Sequence, residues 1–410
     1  MELDRKSTLL IIVAALGYFV DIYDLILFGI VRLPSLHDLN VAEDKIQEVS
    51  ILLLNMQMAG MLLGGIFFGI LGDKRGRVTV LFGSILLYSL ANFANGLVQD
   101  VNTYAVVRFL AGLGLAGELG AGITLVAESM RKEDRGYGTM IVVFFGAFGA
   151  VVAALVADKF DWRISYYVGG GLGLLLLFFR VGAMESGMFE RLKKSKEEEA
   201  IPFLSLFKNR VILVKYIRCI LIGLPVWFVV GVLIVFSPEF GKALGVTEPI
   251  ESGKAVIWSY VGLSMGDVLT GSLSQWLKSR KKVVNYALLL GAASSTIYLL
   301  SSNVSPNTFY LLCFLVGFPM GYWGLFVTIA AEHFGTNIRS TVTTTVPNFV
   351  RGATVPITLL FAFFADGLGW GILVSAAIVG GLSFGISIWA ARGLDETFGK
   401  DLNYIEKAKG

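Results

Sequence analysis

Gly69-Ile70-Leu71-Gly72-Asp73-Lys74-Arg75-Gly76-Arg77 is a short run of glycine and charge set between two apolar blocks, residues 48–71 and 78–98. A helix rises about 1.5 Å per residue, so about 20 apolar residues cross a bilayer. Blocks of this length recur along the chain at 8–31, 48–71, 78–98, 103–127, 136–157, 164–184, 211–236, 253–277, 283–302, 308–331, 340–366 and 368–391. They predict an all-α, polytopic membrane protein with twelve transmembrane helices.

Composition agrees. The 410 residues are 55% hydrophobic and 16% charged, with a mean hydropathy of +0.72. A soluble domain carries about 25% charge, so soluble, disordered and coiled-coil classes are excluded. A net charge of +3 is too small to imply nucleic-acid binding. Cys219 and Cys313 fall inside apolar blocks and read as packing thiols. With only His37 and His333 present, a histidine metal centre lacks material, and no metal or cofactor is expected. The first block has no small-residue cleavage site and is taken as uncleaved.

Lysine and arginine set the orientation, because cytoplasmic loops carry the excess. With the N-terminus inside, the inner segments hold 23 basic residues and the outer loops six, Arg32 among them. Both termini are therefore expected in the cytoplasm. Five basic residues fall within spans: Arg108, Arg180, Lys215, Arg218 and Arg351. Arg180 and Lys215, and with less ease Arg218, are expected to snorkel to the headgroups.

The chain repeats itself. Glu128 follows span 4 with Arg135 seven residues on, and Glu332 follows span 10 with Arg339 seven residues on; both pairs are offset by 204 residues. The loop at Gly69 has a degraded copy after span 8, with Gln275 in the place of Asp73. The division expected is a six-helix bundle over 1–184, a cytoplasmic linker at 185–210, a second six-helix bundle over 211–391 and a tail at 392–410. Two pseudo-symmetric halves with a midplane site between them are the architecture of a secondary transporter.

The Gly69–Arg77 loop resembles the signature between spans 2 and 3 of the major facilitator superfamily. Arg108 to Gly114, Glu128 with Arg135, Glu185-Ser186 and Leu394–Leu402 resemble its sugar-porter branch and the metabolite:proton and organic-ion relatives. The glutamine and asparagine set that grips a hexose in that branch is missing, and span 7 offers Pro225, Trp227 and Phe228 instead.

Asp73, Arg77, Glu128, Arg135, Glu332 and Arg339 all fall at expected inner helix ends. Opposite charges there suit a cytoplasmic gate that forms in one state and parts in the other, although exposed pairs contribute only about 0–1 kcal/mol each. The alternative is that they mark topology.

Ionisable groups deep in a span are functional candidates by default. Here they are Asp21, Asp24, Arg108, Glu118, Asp267 and Arg351. Asp24 and Arg108 lie at similar depth, about 10 and 8 Å below the outer ends of their spans. The resemblance implies that they act as the proton switch, with a static salt bridge as the alternative. Asp21, one turn from Asp24, could share the proton. Glu118 is either a second proton site or a packing partner. Arg351 resembles the span-11 arginine that faces substrate in organic-anion carriers, and a guanidinium can grip a carboxylate by two hydrogen bonds. Alternatively it neutralises Asp267. Tyr18, Tyr23, Trp227, Phe228, Tyr322 and Trp323 lie on spans expected to line the cavity, each weighed against a plain core role.

The leading reading is proton symport of a small organic anion by alternating access. A drug:proton antiporter ranks second, although Gly146–Leu155 lacks the proline usual in such exporters, and a sugar transporter third. A membrane enzyme would need clustered His, Asp or Cys. The partners expected are a small molecule, protons and the bilayer of a plasma or bacterial inner membrane, around a monomer.

Overall fold

A computed structural model describes residues 5–75, 77–118, 135–185, 206 and 209–400, and among them there is no strand. Spans 1 to 6 contain the helices Arg5–Asp38, Ile46–Arg75, Arg77–Asn95, Val101–Leu115, Arg135–Lys159 and Trp162–Glu185. Span 7 is segmented as Arg210–Leu221, Leu224–Phe228 and a wider π turn at Val229–Ile234. Spans 8 and 9 are Ser252–Trp276 and Arg280–Leu300. Span 10 is divided into Pro306–Met320 and Trp323–Glu332. Span 11 comprises Thr336–Gly352, Thr354–Ala362 and a π turn at Phe363–Gly367, and span 12 is Gly371–Arg392.

Nine described helices are long and apolar enough to cross a membrane; Val80–Asn95 and Val101–Leu115 are apolar but shorter. With Ser252–Trp276 they occupy the twelve expected positions. Residues 119–127 of span 4 and the middle of the expected linker lie outside the described residues.

Local chemistry explains the ends and breaks. Asp100 accepts the Thr103 amide at 2.9 Å and starts span 4. Ser305 accepts the Thr308 amide and starts span 10. Proline lacks the N–H that would continue the ladder, and Pro225 follows the break in span 7 as Pro319 precedes the one in span 10. The first helix is longer than its apolar block predicts. It runs through Pro34 to Asp38, which brings Arg32 out of the expected loop and into the bundle.

Glycine sets the closest approaches. In one half, spans 2 and 4 meet where a Cβ on Gly60 or Gly64 would collide with the Phe109 or Leu113 backbone. In the other, spans 8 and 10 meet where a Cβ on Gly262 or Gly266 would strike the carbonyl of Phe314 or Phe318. Gly60 and Gly64 precede Gly262 and Gly266 by 202 residues, so the sequence repeat reappears as a packing repeat. The halves join where span 2 packs on span 11 and span 5 on span 8. The rim is apolar, with Phe178, Trp276 and Leu300 each more than three-quarters exposed. Water would penalise such a surface and acyl chains cover it.

Candidate substrate and proton site

A narrow cavity lies at the junction of the halves. Tyr18 and Ile22 of span 1 and Val143 of span 5 face Trp227, Tyr260, Trp323 and Arg351 across it. The breaks in spans 7 and 10 help to place this wall. Tyr322, at the span-10 break, donates to the Ile222 carbonyl at the span-7 break at 2.6 Å, which pins the two irregular turns together.

Arg351 is fully buried and donates from Nη2 to Asp21 Oδ2 at 2.8 Å, a bridge from span 11 to span 1 with both side chains at 0% exposure. The Nε and Nη1 atoms of Arg351 and the Oδ1 of Asp21 have no partner. This corrects the expected alternative of an Arg351–Asp267 pair. Asp267 instead accepts the Gly324 amide at 3.1 Å, at the N-terminus of Trp323–Glu332, where free N–H groups and the helix dipole favour negative charge.

The Asp24–Arg108 bridge is not closed here. Arg108 donates to Gln57 Oε1 through a short contact and lies 4.7 Å over the Phe28 ring and 5.8 Å from that of Tyr166. Asp24 is 1% exposed, with neither carboxylate oxygen partnered. Equal depth places two residues in one layer but leaves their direction open. Asp24 turns toward span 6, where a Cβ on Gly169 would collide with its Oδ1.

Glu118 and Arg180 form a buried two-point pair, with Nη1 to Oε2 at 2.9 Å and a second, shorter contact between Nη2 and Oε1. Their side chains are only 2–3% exposed. Arg180 therefore does not snorkel, because both terminal nitrogens of its guanidinium are paired inside with Glu118. Lys215 reaches the His333 carbonyl at 3.4 Å, and Arg218 reaches that of Gly393 at 2.5 Å.

Of the expected aromatics, Tyr18, Trp227 and Trp323 line the cavity. Tyr23 does not. Its hydroxyl donates to the Ser165 carbonyl at 2.9 Å, tying span 1 to span 6. Phe228 packs on Gly380 and sets its ring edge-on to Phe384, and Tyr322 serves the junction of spans 7 and 10. Sequence reasoning missed Tyr260, whose placement on a lining face depends on the register of span 8.

Of the expected gate, the side chains of Asp73, Arg77, Glu128 and Arg135 lie outside the described residues. Glu332 pairs with Arg280 at 3.2 Å within its own half. Arg339 donates to the Ala331 and Phe334 carbonyls at 3.0 to 3.2 Å.

The opposite end carries a bridge that no motif announced. Arg32 is 0% exposed. It pairs with Glu239 at 2.8 Å and donates to Ser50 Oγ at 3.0 Å and to the Val235 carbonyl at 3.2 Å. Gln47 reaches Asp366 at 3.0 Å beside it. Both contacts join the two halves. Arg32 read as a loop residue because the apolar block ends at Val31, and the helix continuing through Pro34 was not visible in composition.

Membrane-crossing helices in two similar halves, sharing a central cavity walled by both, define a membrane transporter rather than an enzyme. The family model described as the Major Facilitator Superfamily matches residues 14–352, and the chain belongs to that superfamily. It is 27% identical over 352 residues to the putative niacin/nicotinamide transporter NiaP of Bacillus subtilis, covering 83% of this chain and 84% of that one. It is 29% identical over 343 residues to the cis,cis-muconate transport protein of Acinetobacter baylyi, covering 78% of this chain and 80% of the other. The crystal structure of the Escherichia coli fucose:proton symporter FucP aligns with a TM-score of 0.68 at 15% identity, over 95% of this chain and 99% of that one. That last likeness concerns the fold.

Proposed function

We propose that the protein imports a small, flat organic carboxylate together with protons, with Arg351 as the anchor for the substrate's carboxylate. The observation that carries this reading is the cation itself. Arg351 sits in an aromatic-walled cavity, holds Asp21 through one nitrogen and keeps two nitrogens without a partner. A planar guanidinium with free donors fits a carboxylate, and flanking Tyr18, Trp227 and Trp323 suit a flat body. Relatives named for niacin and for cis,cis-muconate support the same class, since both names denote flat, unsaturated carboxylic acids or their close kin.

Coupling then follows from competition. A substrate carboxylate that takes Arg351 displaces Asp21. An ionised carboxylate left buried without a partner costs several kcal/mol, so Asp21 accepts a proton as the substrate docks. Rocking of the halves exposes the site on the other side, where Asp21 returns its proton to water and reclaims Arg351 as the substrate leaves. Asp24, one turn along, is the second proton-holding carboxylate. Charge asymmetry supports an outer face at the Arg32 end and both termini inside, bacterial relatives support an inner-membrane location, and the working unit proposed is a monomer.

The test uses proteoliposomes with an imposed pH gradient, acid outside, and labelled nicotinate, cis,cis-muconate and neutral nicotinamide as probes. At least one acid should accumulate and nicotinamide should not. Arg351→Lys should lower affinity for that acid about tenfold or more, because lysine keeps the charge but lacks the two-point fork. Preference for the neutral amide, or full affinity in Arg351→Lys, would overturn the anion reading.

A further inference from the structure

Span 1 turns its two aspartates to different surroundings. Asp21 faces Arg351 at the cavity. Asp24, turned toward span 6, also meets Asn92 of span 3, and span 3 carries Ser89 and Asn95 three residues to either side of Asn92. Residues three apart share a helix face. All four side chains are buried, at 1% exposure or less. The Asn92 amide is the hydrogen-bonding neighbour of the Asp24 carboxylate, in a geometry that falls short of a closed bond. Both oxygens of Asp24, the Ser89 hydroxyl and both ends of the Asn92 and Asn95 amides have no hydrogen-bond partner in the protein.

A dry seam of that kind is costly. Each buried polar atom left unsatisfied costs about 1–3 kcal/mol, and such groups are ordinarily satisfied by internal water when protein does not supply a partner. A second observation is independent of this count. Span 6 presents glycine to the seam at two positions one turn apart. A Cβ on Gly169 would strike Asp24 Oδ1, and one on Gly173 would strike the Ser89 hydroxyl. Glycine at both positions lets span 6 lie against these polar groups, and any larger residue would push on them directly.

We propose that Ser89, Asn92 and Asn95 form a hydrated seam that solvates Asp24 and relays its exchangeable proton, apart from the cavity that takes the substrate. The proposal rests on the proton-coupled reading above. The proton arrives from water on the Asp24 carboxylate, is held as the acid, and returns to water along the seam; no other bond is made or broken. An acid needs one acceptor for its O–H and one donor for its C=O, and a carboxamide offers both. Asn92 is thus a positioning residue that acts through Asp24. The proton on Asp24 thus loads apart from the cavity in which substrate and Asp21 compete for Arg351.

The experiment is an infrared pH titration of the full-length protein in liposomes, without substrate. The acid band of Asp24 is assigned by its loss in Asp24→Asn. In the unsubstituted protein this band should titrate, and its proton should exchange with D2O within seconds. Asn92→Leu, which matches the shape but excludes water, should shift the titration midpoint by about one pH unit or more, tenfold in proton affinity. It should also slow the exchange at least tenfold, while Asn92→Ser should keep both near the original. Exchange in the unsubstituted protein as slow as that of span-1 backbone amides would overturn the seam, even if Asn92→Leu fails to fold. An unchanged band in Asn92→Leu would overturn it as well. Loss of the acid band on adding sodium at fixed pH would assign the space to a monovalent cation and overturn the proton relay. If Asp24→Asn removes no band at any pH, Asp24 holds no proton, and its part in the coupling scheme falls together with the seam.

Discussion

Asp21 and Arg351 form a pair in which each charge is tolerable only because of the other. Removing one partner of a buried ion pair costs about 3–5 kcal/mol, while replacing both can be near neutral. Asp21→Asn and Arg351→Gln should each lower the thermal stability of the purified protein, and the double change should recover most of the loss. Asp267→Asn should not rescue Arg351→Gln, since Asp267 is held by the Gly324 amide; rescue by Asp267→Asn and not by Asp21→Asn would refute this pairing. The sequence made every one of these ionisable residues conspicuous, because charge in an apolar block is rare. It did not reveal partners, for depth along a helix is readable from numbering and direction around it is not. Asp24 and Arg108 share a layer yet form no bridge, Arg180 turns inward to Glu118, and Arg32 lay hidden past the end of its apolar block.

Capping and close approach decide how single elements are held. Ser279 accepts the Lys282 amide at the start of span 9, and Glu396 of the segment after span 12 accepts the Arg280 and Lys281 amides at 2.9 and 3.3 Å. The Leu394–Leu402 motif thereby gains a mechanical role, docking the end of the last helix on the start of another. Burial alone would raise the Glu396 pKa. Hydrogen bonds from the Ser279 hydroxyl and from the Phe398, Arg280 and Lys281 amides outweigh it and hold the carboxyl below its usual 4.5. A lowered folded-state pKa gives stability that is present above the unfolded value and lost as pH falls through the folded one. The docking should therefore hold at neutral pH and loosen only as pH falls below the usual glutamate value of 4.5. Glu396→Gln at neutral pH should reproduce the loosening as faster hydrogen exchange in residues 394–400, and unchanged exchange would show that the carboxylate does not hold the segment. Spans and repeat were legible because length and spacing are linear properties. The breaks in spans 7, 10 and 11 were not, because apolar composition continues through them.

At the scale of the molecule, the two halves are held at one end by Arg32 with Glu239 and by Gln47 with Asp366. Arg32 is the buried member, so its loss leaves Glu239 only partly solvated. Arg32→Gln or Glu239→Gln should open that end, read as greater labelling of cysteines introduced along the inner faces of spans 1 and 7. The exchange Arg32→Glu with Glu239→Arg should restore most of the closure; equal labelling in all variants would make the bridge incidental to the conformational balance. The Asp21–Arg351 pair has a further, electrical consequence. Its two charges cancel, so the loaded and empty centres differ only by what is carried. One carboxylate with one proton sums to zero, and such a cycle feels no membrane voltage. A dicarboxylate with one proton would carry a net negative charge, which an interior-negative potential opposes by about 2.3 kcal/mol per 100 mV. With Asp21 and Asp24 each carrying a proton, a monocarboxylate crosses with one net positive charge, so under an interior-negative potassium diffusion potential set with valinomycin its uptake should speed up, whereas a rate that ignores the voltage would mean that only one of the two carboxylates releases its proton in each cycle.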